Sequence, residues 1–276
     1  MQVDASHWFT ATVVPSAILP YPPRFYLNPP RVMVGPYQNA EEYDEHMFAQ
    51  TTGTNRIGWD NEDEYRFDVD TGLLCGLYWI YPEQFPEPPE ETPVWEEAAA
   101  YAGVLRLDSL RPYGTGKDGA PNTYSPNLTS TQLVDPKGTS FTALNADLLR
   151  QASTVVRLQV AQDLYLLIAD EEIAGWVFLN PGRYLTALWE ALPATDDDEL
   201  GIILAEYLTL ATCPNLDEIT SKNPESFDQL VSLYARLGGV NGDVGHRQVL
   251  RMHMDVLAYR FYDRTISGGP EPTTLT

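Results

Sequence analysis

Residues 155–179 read VVRLQVAQDLYLLIADEEIAGWVFL, and the fold class turns on this stretch. Val155 to Val160, Leu164 to Ala169 and Ile173 to Leu179 are apolar, β-branched-rich runs of strand length. The polar breaks between them, at Gln162 and Asp163 and at Asp170 to Glu172, leave room only for tight turns. The pattern predicts a three-stranded antiparallel meander.

C-terminal to the meander the apolar period changes from two to about 3.6. Asn180 and Pro181 have the form of a helix start, a capping side chain followed by a proline at the first helical position. They predict a helix with Leu185, Leu188, Trp189 and Leu192 on its apolar face. Asp196 and Glu199 have capping-box spacing and predict another carrying Leu200, Ile203, Leu204, Tyr207 and Leu208. Asn223 and Pro224 repeat the cap-and-proline start before Phe227, Leu230, Val231 and Tyr234, with Gly238 and Gly239 as the stop. The last helix, roughly 244–262, carries Val249, Met252, Val256 and Tyr259 on one stripe, beside Leu250 and Leu257. A face that wide implies packing inside a bundle or against the meander.

N-terminal to the meander a helix is expected near 144–151. Before it, 111–140 is a run rich in Gly, Pro, Ser, Thr and Asn that reads as a linker or mobile loop. Within 1–110, Trp8 to Val14 predicts a strand, 15–30 is too rich in proline for a sheet interior, and 41–50 predicts a short helix. Tyr65, Phe67 and Val69 alternate, Asp70, Thr71 and Gly72 supply a turn, and Leu73 to Tyr81 runs back as a strand apolar on both faces, hence central. A proline and glutamate stretch, 82–93, is expected extended and exposed. Trp95 to Ala102 then predicts a short helix and Val104 to Leu107 a strand. The expectation is an α+β protein: an N-terminal mixed β-rich region with a hairpin (1–110), the linker (111–140), a β-meander followed by a C-terminal helical bundle (141–263), and a tail (264–276).

The chain of 276 residues carries 39 acids against 17 bases, a formal net charge of −22. Residues 1–100 hold 17 of those acids and only 4 bases, so the negative field is concentrated in the first third. Such a field repels nucleic-acid phosphate and anionic lipid, which argues against direct nucleic-acid binding, and it steers cationic partners inward. The same acidity also arises from selection for solubility or from a salty habitat. No run of about eighteen apolar residues occurs and no basic, then apolar segment opens the chain, so a soluble cytoplasmic protein without a membrane span is expected. Cys75 and Cys213 each sit in an apolar stretch, as small buried hydrophobes do, although one disulfide between them stays open.

Catalytic and metal signatures are weak. His246 and His253 are seven apart on the last helix, with Asp243 nearby, but a zinc site needs a further ligand. A polar helix face with Arg247 and Arg251 pairing with acids is the simpler account. Glu42 and His46 are four apart, half of a carboxylate and histidine site whose second Glu-x-x-His is missing. The acids from Asp60 to Asp70 fail the register of a calcium loop. Gly239, Gly242 and Gly245, like Gly114, Gly116 and Lys117, miss the phosphate-loop context. The nucleophile-elbow, zinc-protease and paired Cys-x-x-Cys motifs do not occur, so neither a cofactor nor a metal is expected.

What remains is a surface argument. Glu41, Glu42, Asp44 and Glu45, then Asp60, Glu62, Asp63 and Glu64, lie among aromatic residues, of which Trp59 and Trp95 are expected to be exposed anchors. Carboxylates interleaved with rings suit a protein interface for a cationic partner. The expected function is a non-catalytic, immunity-type inhibitor, a monomer or dimer in a bacterial cytoplasm, neutralising a basic toxin such as a nuclease by occluding its site. Two other classes stay open: an assembly subunit docking through the proline-rich segments 15–30 and 82–93, and a carboxylate-based enzyme, metal-dependent or not.

Overall fold

A computed structural model describes residues 1–5, 8–28, 30–54, 63–80, 95–110, 131–212, 215–238 and 244–269. The protein is α+β, with two sheets and a C-terminal set of helices. Strands β1 (Gln2–Asp4) and β2 (Phe9–Pro15) form an antiparallel pair. Next come β3 (Arg24–Leu27) and β4 (Pro30–Val34), also antiparallel. β3 lies within 15–30, the run too rich in proline for a sheet interior. It is an edge strand, where proline-flanked chain loses no ladder bond, and Thr186 covers it by donating its amide to Phe25 O at 2.9 Å.

Helix α1 (Ala40–Glu45) continues as a π-helical turn, His46–Gln50, into β5 (Thr51–Gly53). β6 (Glu64–Asp68) and β7 (Leu74–Ile80) are the expected hairpin. Its turn is organised by Asp68, whose carboxylate accepts from Thr71 N at 2.8 Å and Thr71 Oγ1 at 2.7 Å, while Gly72 takes a φ of 68°. The second sheet runs β3-β4-β7-β6-β5, so β7 is central and buried on both faces, as its apolar sequence required.

The predicted helix at Trp95 to Ala102 does not form. Trp95 to Ala98 is a turn, and the chain is extended from Ala99 as β8 (Ala99–Leu110). Ala99, Ala100, Tyr101 and Ala102 pair in parallel with Val156 to Gln159, and this tertiary pairing outweighs the helix propensity of an alanine run. The glycine-rich stretch also ends in structure, because β9 (Thr131–Val134) pairs with β10 (Ser140–Leu144). Helix α2 (Ala146–Gln151) is capped by Asn145, which accepts from Leu148 N at 3.1 Å. β11 (Val155–Ala161), β12 (Leu164–Ala169) and β13 (Glu172–Leu179) are the meander as expected.

The first sheet runs β1-β2-β8-β11-β12-β13-β10-β9, and Asp4 of β1 pairs again with Glu172 of β13. Six strands thereby come round into a ring, from which β10 and β9 extend. Strands from 1–110 and from 141–263 share this sheet. The core is shared as well: Phe9 packs on Tyr65 and Phe67, and Phe25 on Phe141 and Phe178.

Asn180 and Pro181 start only a 3-10 turn, Pro181–Tyr184, in place of the predicted helix. Asn180 adopts a left-handed conformation (φ 48°) and makes no capping bond, and Leu185 then turns extended to bridge Phe25. α3 (Asp198–Leu210) is capped by Asp197, one residue later than expected, and α4 (Asn215–Thr220) is an addition the sequence did not announce. α5 (Pro224–Arg236), capped by Asn223, and α6 (Val244–Tyr262) match their predicted spans. Among the described residues no helix is long and apolar enough to cross a membrane.

Candidate functional site

The α1 segment is built to hold acids outward. Asn39 accepts from Glu42 N at 2.9 Å, and the Glu42 carboxylate returns the contact, accepting from Asn39 Nδ2 and Gln38 N at 2.8 Å each. This reciprocal cap satisfies amides that a six-residue helix otherwise leaves bare. Glu41, Glu42, Asp44 and Glu45 are all exposed. The other face is anchored: His46 and Met47 are buried, and Tyr43 packs its ring against Tyr37 and Trp189 at centroid distances of 5.0 and 5.1 Å. Directly after the acids, Phe48 stands 71 % exposed, and Val69, whose amide donates to Gln50 O at 3.4 Å, stands 57 % exposed. Asp70 beside Val69 is exposed too.

The bases of this region point the other way. Arg24 is buried, giving its guanidinium to the carbonyls of Gly35 and Trp189 at 3.0 Å and to that of Tyr37. Arg66, also buried, ties down the π-helical turn by donating to Thr51 Oγ1 at 2.9 Å, Thr51 O at 3.2 Å and Met47 O. Arg31 is half-buried over the rings of Tyr26 and Tyr78 and donates to the Tyr78 hydroxyl. The described bases of residues 1–100 are therefore spent on internal acceptors and rings, which leaves the local surface more negative than composition alone implies.

Several expected docking residues lie elsewhere. Asp63 and Glu64 are 1 % and 4 % exposed, which corrects their placement on a docking face. Glu64 and Arg66 alternate on the face of β6 that α1 covers, and Glu64 accepts from the Tyr43 hydroxyl at 3.2 Å. Asp63 accepts Ile80 N at 2.9 Å with Oδ1, while its Oδ2 has no partner. Burial, with Glu64 adding to it, raises the Asp63 carboxyl to about 7. Trp95 is 5 % exposed and packs with Leu149, Leu167 and Val177 instead of standing out as an anchor. Trp59, Asp60 and Glu62 lie outside the described residues. Phe48, an exposed ring that the sequence did not single out, stands in the wider π-helical turn that follows α1.

The histidines are internal. His46 lies against Gly76, where an added Cβ would sit 2.7 Å from Nε2, and burial, reinforced by Arg66, lowers it to about 4. Glu42 faces solvent while His46 faces inward, so the sequence neighbours do not converge. His246 and His253 are both buried, and Arg247 with them, so the polar side of α6 lies inside the fold. Arg247 grips the α3 cap, Asp197, with two bonds of 2.7 and 2.8 Å. Cys75 is a free, half-buried thiol that burial pushes up to about 12, which removes it as a nucleophile at neutral pH. Cys213 lies outside the described residues. Among the described residues no three His, Cys, Asp or Glu side chains are placed to hold a metal ion.

No protein-family model matches the chain, and no curated protein or solved structure matches it either.

Proposed function

We propose that this protein is a non-catalytic acidic binding protein of the immunity type, acting in a bacterial cytoplasm as a monomer or dimer. Its partner is a basic toxin such as a nuclease, whose site it occludes. The docking face is α1 with the π-turn after it: Glu41, Glu42, Asp44 and Glu45 supply the field, and Phe48 supplies an apolar anchor. The observation that carries this reading is the sorting of charge. Arg24 and Arg66 are turned inward onto carbonyls while the acids of α1 stand in solvent beside a large exposed ring. Carboxylates at such a face compete for cationic side chains that otherwise hold phosphate, and the ring adds desolvated area at the centre of the contact.

The test is co-purification from the native lysate, followed by reconstitution with the identified partner. A basic partner should come down, its affinity should fall steeply as salt rises from about 50 to about 500 mM, and the Phe48→Ala and Glu41→Lys/Asp44→Lys proteins should bind it more weakly while keeping their fold. An acidic partner, or association that tightens with salt, rejects the proposal.

A further inference from the structure

The strongest unassigned feature is a cavity of about 240 Å³ between the β3 edge and helices α3, α4 and α6. Leu27 and Pro30, with Asn28 between them in sequence, lie on the β3 side, and Leu216, Leu257 and Phe261, with Thr220, lie on the helix side. Tyr207 and His253 close its inner side, and Arg260 lies at the exposed end. The charge at this place departs from the rest of the molecule. In a chain of net charge −22 the only charged side chain that lines the cavity among the described residues is an arginine, and no described carboxylate lines it. Arg260 makes no hydrogen bond or ion pair among the described residues, and its one described contact is with the neighbouring Phe261 ring.

The inner side is polar but uncharged. His253 is 2 % exposed, and its Nε2 must donate to the Thr186 carbonyl at 3.3 Å, which leaves Nδ1 as a lone-pair acceptor without a donor. Burial lowers this imidazole to about 4, so it is neutral at physiological pH. The volume sets the size of an occupant, since 240 Å³ is about eight times the ~30 Å³ share of a water molecule and so suits on the order of eight to ten heavy atoms. Largely apolar walls, a neutral inner end and one guanidinium at the mouth, without an ion pair among the described residues, form a site for an apolar body with a single negative head.

We infer that this cavity binds a small organic monocarboxylate, with the carboxylate on Arg260 and the hydrocarbon body between Leu27 and Leu257. A phosphate group suits it less, because a dianion calls for more than one cationic partner and the described lining of the cavity offers one.

The full chain is titrated by calorimetry and by NMR with hexanoate, with hexylammonium of equal length and opposite charge, and with 1-hexanol. Hexanoate should bind once per chain, about ten-fold or more tighter than hexylammonium. Arg260→Gln should weaken hexanoate about ten-fold and leave hexanol unchanged. Leu257→Trp fills the cavity and should abolish binding of both; if circular dichroism shows that variant unfolded, Ala211→Leu takes its place. Equal affinity for hexanoate and hexylammonium overturns the inference. So does unchanged hexanoate binding in Arg260→Gln or in the folded filled variant, and so does the lack of saturable hexanoate binding below about 10 mM, which corresponds to the weakest end of small-ligand recognition.

Discussion

Trp79 of the five-stranded sheet and Trp176 of the eight-stranded sheet stack with ring centroids 5.6 Å apart and planes inclined by 16°, each fully buried. The contact joins a residue from the first third of the chain to one from the meander, so the sheets are coupled through their largest side chains. Trp79→Ala or Trp176→Ala should each cost ~3–5 kcal/mol, the range for deleting a buried ring. Their double-mutant cycle should show a coupling of ~0.5–1.5 kcal/mol. Urea unfolding followed by fluorescence and by far-UV dichroism checks both values. Two separate transitions, with only one of them shifted by each substitution, would contradict the shared core.

Asp63 imposes a pH dependence of unusual sign. Its carboxyl is raised from 3.8 to about 7 in the folded protein, so the folded state holds its proton more tightly than the unfolded chain does. The associated stability is present below pH 4 and is lost as pH rises through 7, up to about 4 kcal/mol by linkage. Asp63→Asn keeps an acceptor for Ile80 N and cannot ionise. It should therefore be more stable than the parent at pH 8 and close to it at pH 4. Urea midpoints at the two values measure this, and parallel pH profiles for both proteins would show that Asp63 is ionised at no cost.

His46 and His253 act in the opposite direction. Each is lowered from 6.5 to about 4, chiefly by burial, so the unfolded chain takes up their protons first. The stability they contribute is present above pH 6.5 and is lost as pH falls through 4. Histidine Cε1 proton shifts followed by NMR should stay constant for both residues between pH 7 and pH 5.5, where an exposed histidine moves. Gly76→Ala brings a Cβ within 2.7 Å of His46 Nε2. It should cost ~1–3 kcal/mol as overpacking and shift the His46 resonance, since the ring must give way for the π-turn above it to stay in place.

The two Asn-Pro sites show what was legible and what was not. Asn223 caps α5 by accepting from Glu225 N at 3.0 Å, and the same local pattern at Asn180 yields a left-handed residue and a 3-10 turn. The dipeptides carry one message, and the difference lies in Leu185, which leaves the helical path to pair with Phe25, a partner 160 residues away. The meander was legible because its strands pair with immediate neighbours and period-two patterning is local information. At the candidate site, the exposure of Glu41, Glu42, Asp44 and Glu45 was legible because four charges on a short helix have no internal partner to meet. The burial of Asp63 and Glu64 was not, because it depends on α1 folding across β6. A charged pair two apart in a strand, Glu64 and Arg66, was the available signal, since it places opposite charges on one face beneath a cover.

Phe48 separates a docking role from a structural one. A side chain 71 % exposed contributes little to folding, so Phe48→Ala should change stability by less than about 0.5 kcal/mol. At the centre of an interface the same truncation costs about 2 kcal/mol or more, at least a ten-fold loss of affinity carried mainly in the dissociation rate. Glu41→Lys/Asp44→Lys should instead slow association and flatten its salt dependence, because acids at the rim steer the encounter more than they hold the complex. Stopped-flow binding to the basic partner distinguishes these effects. Arg66→Ala is the control: it frees the Met47 and Thr51 carbonyls that hold the π-turn, so it should lower stability and affinity together. If Phe48→Ala also lowers both in step, the ring supports the fold and the docking face lies elsewhere.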